Sequence, residues 1–177
     1  KLARQLAQAN PQAQLFVDIG CGRGADVSLF ADRGVRAIGL DYQPYAYAAE
    51  AERRGDDALV DFQLFNLLEL RHVLAVSAWV ARMPGPRVII SRHVVERIGP
   101  NGRANLLLAA RMMLAGTNDP LHLEFLCRRG RDGYTRRSGV RSALDPEVMS
   151  ADVIAAGGTV REVFFRDISQ GPQSSRV

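Results

Sequence analysis

The stretch Phe16-Val17-Asp18-Ile19-Gly20-Cys21-Gly22-Arg23-Gly24 decides how the chain is read. A short apolar run from Leu15 enters it, and Ala25 to Arg33 follows as a helix stopped by Gly34. Three glycines at alternate positions permit a tight turn and leave backbone open to close approach. Strand, glycine turn and helix in that order suggest the first unit of a βαβ sheet. Working outward, Arg36–Leu40 reads as a second strand closed by Asp41. Pro44 then opens a helix that runs to Arg54 and ends at Gly55. Val60–Phe65 is a third strand. Leu67–Met83 has apolar residues at helical spacing and is broken by Pro84-Gly85-Pro86. Val88-Ile89-Ile90 is a continuous β-branched strand, as expected for one buried on both faces. A helix over Arg103–Leu114, a strand over Leu121–Leu126, a helix over Pro146–Ala156 and a sixth strand over Thr159–Phe165 complete the pattern. The alternation predicts an α/β, Rossmann-like, doubly wound sheet, mostly parallel, with helices on both faces. Ligands of such sheets bind beyond the carboxyl ends of the strands.

The 177 residues fit a single domain, read as 1–177, and a chain of this length buries roughly 70% of its surface without a staple. The start at Lys1 suggests missing N-terminal residues. The end at Ser175-Arg176-Val177 falls about where a last strand should begin. Composition, 47% hydrophobic and 24% charged, excludes a collagen, a long coiled coil and a disordered chain. No window holds the roughly 18 uninterrupted apolar residues of a membrane helix. The opening KLARQLAQAN lacks the apolar segment of a signal peptide. Two cysteines, Cys21 and Cys127, make no disulfide framework, which fits a reducing, cytoplasmic location. The net charge of +4 raises the prior for a nucleic-acid partner only slightly; the one dense basic cluster is Arg128 to Arg141. No Cys/His cluster has zinc spacing, so no metal is expected.

Charge separates two readings of the glycine turn. The spacing Gly20-x-Gly22-x-x-Ala25 fits a dinucleotide fingerprint. Asp18, two residues before the first glycine, would repel a pyrophosphate and welcome an ammonium group and a sulfonium cation. That favours S-adenosylmethionine over NAD. Asp41, 21 residues after Gly20, is placed to accept from both hydroxyls of an adenosine ribose. Asn66, after the third strand, offers a carbonyl to the adenine amine, and the backbone of Leu67 offers a donor to a ring nitrogen. Leu67 or Tyr42 covers a face of the base.

Together these residues resemble the class I S-adenosylmethionine-dependent methyltransferases, over nearly the whole chain. The loop spelled DIGCGRG is similar to that family's first motif. The resemblance implies a seven-stranded sheet with an antiparallel last strand. It also implies a cofactor site at Asp18, Gly20, Cys21, Gly22, Gly24, Asp41, Tyr42, Asn66, Leu67 and Ser91, with S-adenosylhomocysteine as product. The position after the third strand, frequently Asp in the family, is Asn66 here. The segments SRHVVERI (91–98) and DPEVMSADVIAAGG (145–158) are similar to small-molecule methyltransferases of bacterial secondary or cell-surface metabolism.

Ser91, Arg92 and His93 follow the fourth strand, where such a fold exposes residues to the transferred methyl. His93 is the candidate general base, because imidazole titrates near working pH, and Glu96, three residues on, could orient it. Arg92, His93, Tyr134 and Arg136 are candidate acceptor contacts; arginines beside Tyr134 suit a phosphate or carboxylate. His72 and His122 read as structural, and Asp26 as favourable charge in a first helical turn. The expected function is methyl transfer to a small-molecule or sugar acceptor. Set against it are a nucleic-acid methyltransferase, an NAD-dependent dehydrogenase, and a non-catalytic methyltransferase-like domain of a larger protein. No Asn/Asp-Pro-Pro-aromatic motif and no Pro-Cys follows the fourth strand, which argues against nucleic-acid bases as acceptors.

Overall fold

A computed structural model describes residues 2–127 and 143–165. Five strands form one parallel sheet in the order β3-β2-β1-β4-β5: β1 Leu15–Ile19, β2 Arg36–Asp41, β3 Val60–Leu64, β4 Arg87–Arg92 and β5 Leu121–Glu124. β1 is central, and all five of its residues are buried, as a strand covered on both faces requires. Its alternating side chains feed two cores. Leu15, Val17 and Ile19 join Ile38, Leu40 and Ile89 under α4 (Leu70–Ala81), α5 (Pro100–Met113) and α6 (Pro146–Ala155). Phe16, Ala37, Val88 and Ile90 pack under α1 (Leu2–Ala9), α2 (Ala25–Ala31) and α3 (Pro44–Arg54). On that second side Phe16 stacks on Phe30, with ring centroids 3.8 Å apart. Asp18 alternates in phase with Phe16, so its carboxylate belongs to this second face.

The amino end of the sheet is closed by Arg87, which is 6% exposed. Its guanidinium donates to the carbonyls of Met113 (2.7 Å), Met83 (2.6 Å), Val80 (3.5 Å) and Gly85 (3.5 Å). These are the last carbonyls of α4, of α5 and of the following turn, the groups a helix leaves unpaired at its negative end.

Two expectations are corrected. Thr159–Phe165 forms no strand: the segment has no ladder partner among the described residues and is exposed, Phe164 by 81%. Its β-branched and aromatic composition fits a strand, but such residues favour one only where a neighbour pairs and covers them. In the other direction, Leu2–Ala9 is a helix, which the opening sequence did not suggest; Ala3 and Leu6 bury one side of it against the second core. Smaller shifts have local causes. α4 begins at Leu70 because a turn occupies residues 66–69, and α5 begins at Pro100, a residue preset for a first helical turn.

Candidate functional site

Beyond Ile19 the chain passes through Gly20, Gly22 and Gly24 with φ of 84°, 53° and 75°. A side chain at Gly20 would run into Val94, and one at Gly24 would come within 2.6 Å of the Phe62 ring. Nothing lies within 4 Å of where a Cβ on Gly22 would be. The fold itself therefore needs the first and third glycines, while the second turns its backbone to open space. Asp41, at the end of β2, holds this turn. One carboxylate oxygen accepts from the Gly22 amide and the other from the Gln43 amide, both at 2.9 Å. A carboxylate has about four lone-pair sites, so each oxygen keeps capacity for a ribose hydroxyl.

Asp18 lies beneath the turn and is only 2% exposed. Its Oδ1 has no hydrogen-bond partner among the described residues. Burial, reinforced by the Asp26 and Asp41 carboxylates and opposed by Arg92, pushes its pKa up to about 7. Arg92, the last residue of β4, is paired with Asp26 in the first turn of α2. Three carboxylates and one guanidinium thus meet at the carboxyl ends of β1, β2 and β4. The cluster has more carboxylates than cations, and the oxygen that lacks a partner is buried.

The other expected residues fall out unevenly. Cys21 is buried and its thiol is pushed well up by burial, so its backbone is what the turn uses. Tyr42 is 62% exposed, and its hydroxyl accepts from the Gln43 side-chain amide. Asn66 is committed in part: its Oδ1 accepts from the Leu68 amide at 3.0 Å and closes the turn after β3. Leu67 buries its side chain in the first core, and its carbonyl accepts from Asn105 at 2.7 Å. Of the two residues expected to cover a base, Leu67 is thus the buried one and Tyr42 the exposed one. Ser91 is also buried, its hydroxyl donating to the Ile19 carbonyl at 2.9 Å as a strut between β4 and β1. Arg92 turns towards Asp26, a pairing that no local spacing announces. His93 and Glu96 do meet, Nδ1 to Oε1, at 3.2 Å, though on a turn rather than a helix. Tyr134, Arg136 and the Arg128–Arg141 cluster lie outside the described residues. Among the described residues no group of His, Cys, Asp and Glu has the arrangement of a metal site.

Residues 17–75 match the family described as methyltransferase domain. That span runs from β1 through the glycine turn and Asp41 into α4. Over that span the chain is similar to a methyltransferase domain. Among solved structures it is similar to a magnesium protoporphyrin IX methyltransferase from Synechocystis PCC 6803 with S-adenosylhomocysteine bound. That match has 17% identity and a TM-score of 0.60 over 91% of this chain and 71% of the other. It is similar also to an amino pentose methyltransferase from Micromonospora echinaspora with S-adenosylmethionine bound, at 18% identity and TM-score 0.57, covering 88% and 80%. A third is an S-adenosylmethionine-dependent methyltransferase from Anabaena variabilis ATCC 29413, at 21% and 0.53, covering 69% and 49%. The chain thus spans about half the length of that third protein. Among curated proteins no sequence matches. At these identities the likeness is one of fold, the Rossmann-like class I methyltransferase fold, and no helix among the described residues is long and apolar enough to cross a membrane.

Proposed function

We propose that this methyltransferase domain transfers a methyl group from S-adenosylmethionine to a small-molecule or sugar acceptor. The observation that carries the reading is the unpartnered, buried Oδ1 of Asp18 in a cluster with more carboxylates than cations. An α-ammonium group satisfies both deficits at once, whereas the pyrophosphate of NAD would add charge of the wrong sign. In this reading Asp18 takes the ammonium, the Gly20–Gly24 turn gives the ligand a backbone surface at Gly22, and Asp41 takes the ribose hydroxyls. Tyr42 and the turn at Asn66 and Leu67 border the base. The bound group supplies an electrophilic methyl on sulfur. The chain's task is alignment, which is worth roughly 7–11 kcal/mol at best. The names of the structural relatives, a porphyrin and an amino pentose methyltransferase, support a small-molecule acceptor. A single cytoplasmic domain, and a sheet of seven strands with the last antiparallel, belong to the same reading and rest on the resemblance.

Calorimetric titration with S-adenosylmethionine, S-adenosylhomocysteine and NAD tests it on the wild type, Asp18→Asn and Asp41→Ala. Micromolar binding of the two sulfur nucleosides, absent for NAD and weakened at least tenfold in both variants, is expected. Because the ammonium needs an ionised Asp18, affinity rises with pH up to about 7 and then levels in the wild type. Binding of NAD alone would overturn the assignment. Binding of none of the three would leave a domain without cofactor.

A further inference from the structure

We infer that His93, held by Glu96, takes the acceptor's proton during methyl transfer, and that the acceptor is a hydroxyl or protonated amine that must lose one. The inference rests on the cofactor reading above and adds the class of acceptor to it.

Position is the first argument. His93 follows the last residue of β4, and its neighbour Val94 packs against Gly20 of the glycine turn. Two residues before it, Ser91 ties β4 to the carbonyl of Ile19. The imidazole is therefore anchored at the rim of the proposed cofactor site. Backbone conformation is the second. His93 has φ of 57°, the only positive value at a non-glycine among the described residues. A side chain in that region is strained, and the strain persists only where the surroundings impose it. Here the imposing contact is the His93 amide, which donates to the Glu124 carbonyl at the end of β5 at 2.7 Å. The turn lifts the ring out of the sheet, leaving its side chain 40% exposed.

The acid behind the ring is the third argument. Glu96 has a side chain with no exposed surface, and its Oε1 lies 3.2 Å from His93 Nδ1. The same oxygen meets the Leu126 amide at 3.5 Å. A buried carboxylate facing Nδ1 draws the proton to that nitrogen and leaves the Nε2 lone pair on the open side of the ring. Neither other histidine has this arrangement. His72 faces Glu69, which is itself largely exposed, and His122 is half-buried in β5, where burial disfavours its charged form. Other charged groups on the elements packed against the turn are Arg92 of β4, Asp26 of α2, Asp18 of β1 and Glu124 of β5.

The step balances as follows. A protonated amine first loses its proton and attacks with the lone pair this frees, whereas a hydroxyl attacks as its proton leaves; in both cases that lone pair forms the bond to the methyl carbon. The carbon–sulfur pair stays on sulfur, giving the neutral thioether. The acceptor's proton passes to His93 Nε2, and Glu96 stabilises the imidazolium that results. Glu96 is a positioning residue, since it touches neither acceptor nor methyl.

The test needs no knowledge of the acceptor, because the sulfonium is charged and its thioether product is not. The ring Cε1–H signal of His93 is followed by NMR against pH, with the protein saturated by S-adenosylmethionine or by S-adenosylhomocysteine. His93→Asn assigns the signal, as asparagine tolerates the same backbone region. The expected result is a midpoint about one pH unit lower with the sulfonium than with the thioether, from repulsion between neighbouring cations. In Glu96→Leu the ring 15N shifts move from the Nδ1–H towards the Nε2–H pattern with either ligand. Equal midpoints with the two ligands would place the ring away from the methyl and overturn the inference. Unchanged ring 15N shifts in a folded Glu96→Leu would overturn the role of Glu96. If calorimetry shows that neither ligand binds, it is the cofactor reading that has failed.

Discussion

Arg87 at the amino end of β4 and Asp18 near the carboxyl end of β1 are both ionisable and both almost wholly buried, yet their surroundings treat them in opposite ways. Around Arg87 the helix ends converge, and four carbonyls accept from the guanidinium's two terminal nitrogens, leaving only Nε without a partner among the described residues. Around Asp18 the nearest charges are two further carboxylates and an arginine already engaged by Asp26, and one oxygen accepts nothing. One end of the sheet is closed by its own residues; at the other, a buried oxygen is left without a partner among the described residues. A buried charge that finds its partners within the chain serves the fold. A buried charge left short of a partner costs stability, and it marks where a ligand of opposite sign belongs.

The contrast can be broken most severely at the closed end. Arg87→Met strands several helix-terminal carbonyls, and a loss of about 3 kcal/mol in urea unfolding is expected, with cofactor affinity in the surviving folded fraction unchanged. Gly20→Ala comes next, at about 2–3 kcal/mol, because the added methyl meets Val94 at a positive φ. The open end should answer with the opposite sign. Asp18→Asn removes the unpartnered charge, so stability at pH 8 rises by about 1–2 kcal/mol while affinity for S-adenosylmethionine falls at least tenfold.

The pH dependence sharpens this point. Folded Asp18 keeps its proton to about 7, whereas the unfolded chain releases it near 3.8. Between those values the folded state binds the extra proton, so this group's contribution to stability is greatest below about pH 4. It declines as pH rises through about 7. Thermal melts of Asp18→Asn should lack that decline, and saturating S-adenosylmethionine should offset it in the wild type. The smallest effect is expected for Gly22→Ala, about 1 kcal/mol in stability, since only its φ opposes the substitution. Its larger consequence is on binding, where the methyl would occupy the open side of the turn.

Much of this was legible in the sequence, and the reasons for the exceptions are physical. The alternation of strands and helices is written in local patterns, and so are the glycine turn and the two acids at 18 and 41. The helix over Leu2–Ala9 escaped notice because two turns bury only Ala3 and Leu6, too few positions for a periodic signal. Thr159–Phe165 was misread because strand formation depends on a neighbour that composition does not reveal. Asn66 falls just past β3 as its position suggests, whereas Ser91, expected after the fourth strand, lies within β4; both side chains are engaged, by Leu68 and Ile19, in bonds that spacing alone does not show. The pairing of Arg92 with Asp26 joins residues distant in the chain, and without it Asp26 looks like an ordinary first-turn acid. The His93–Glu96 contact could be read from the spacing, while the turn that carries it could not.

The strand order carries a consequence for how the protein comes into being. β1, β2 and β3 are neighbours in the sheet as well as in sequence, so they can pair while the chain is still being made. β4 adds to the far side of β1, and the bond from Ser91 to Ile19 spans 72 residues. That long closure is entropically slow. Arg92, His93 and Glu96 arrive only with β4. A nascent chain that has reached β3 therefore already displays the glycine turn, Asp18 and Asp41, but it has neither the guanidinium that pairs with Asp26 nor the proposed base. In the proposed reading the residues that bind the ligand precede those that serve the chemistry, and a methyl donor captured early would meet no means of spending its methyl until translation had passed residue 96.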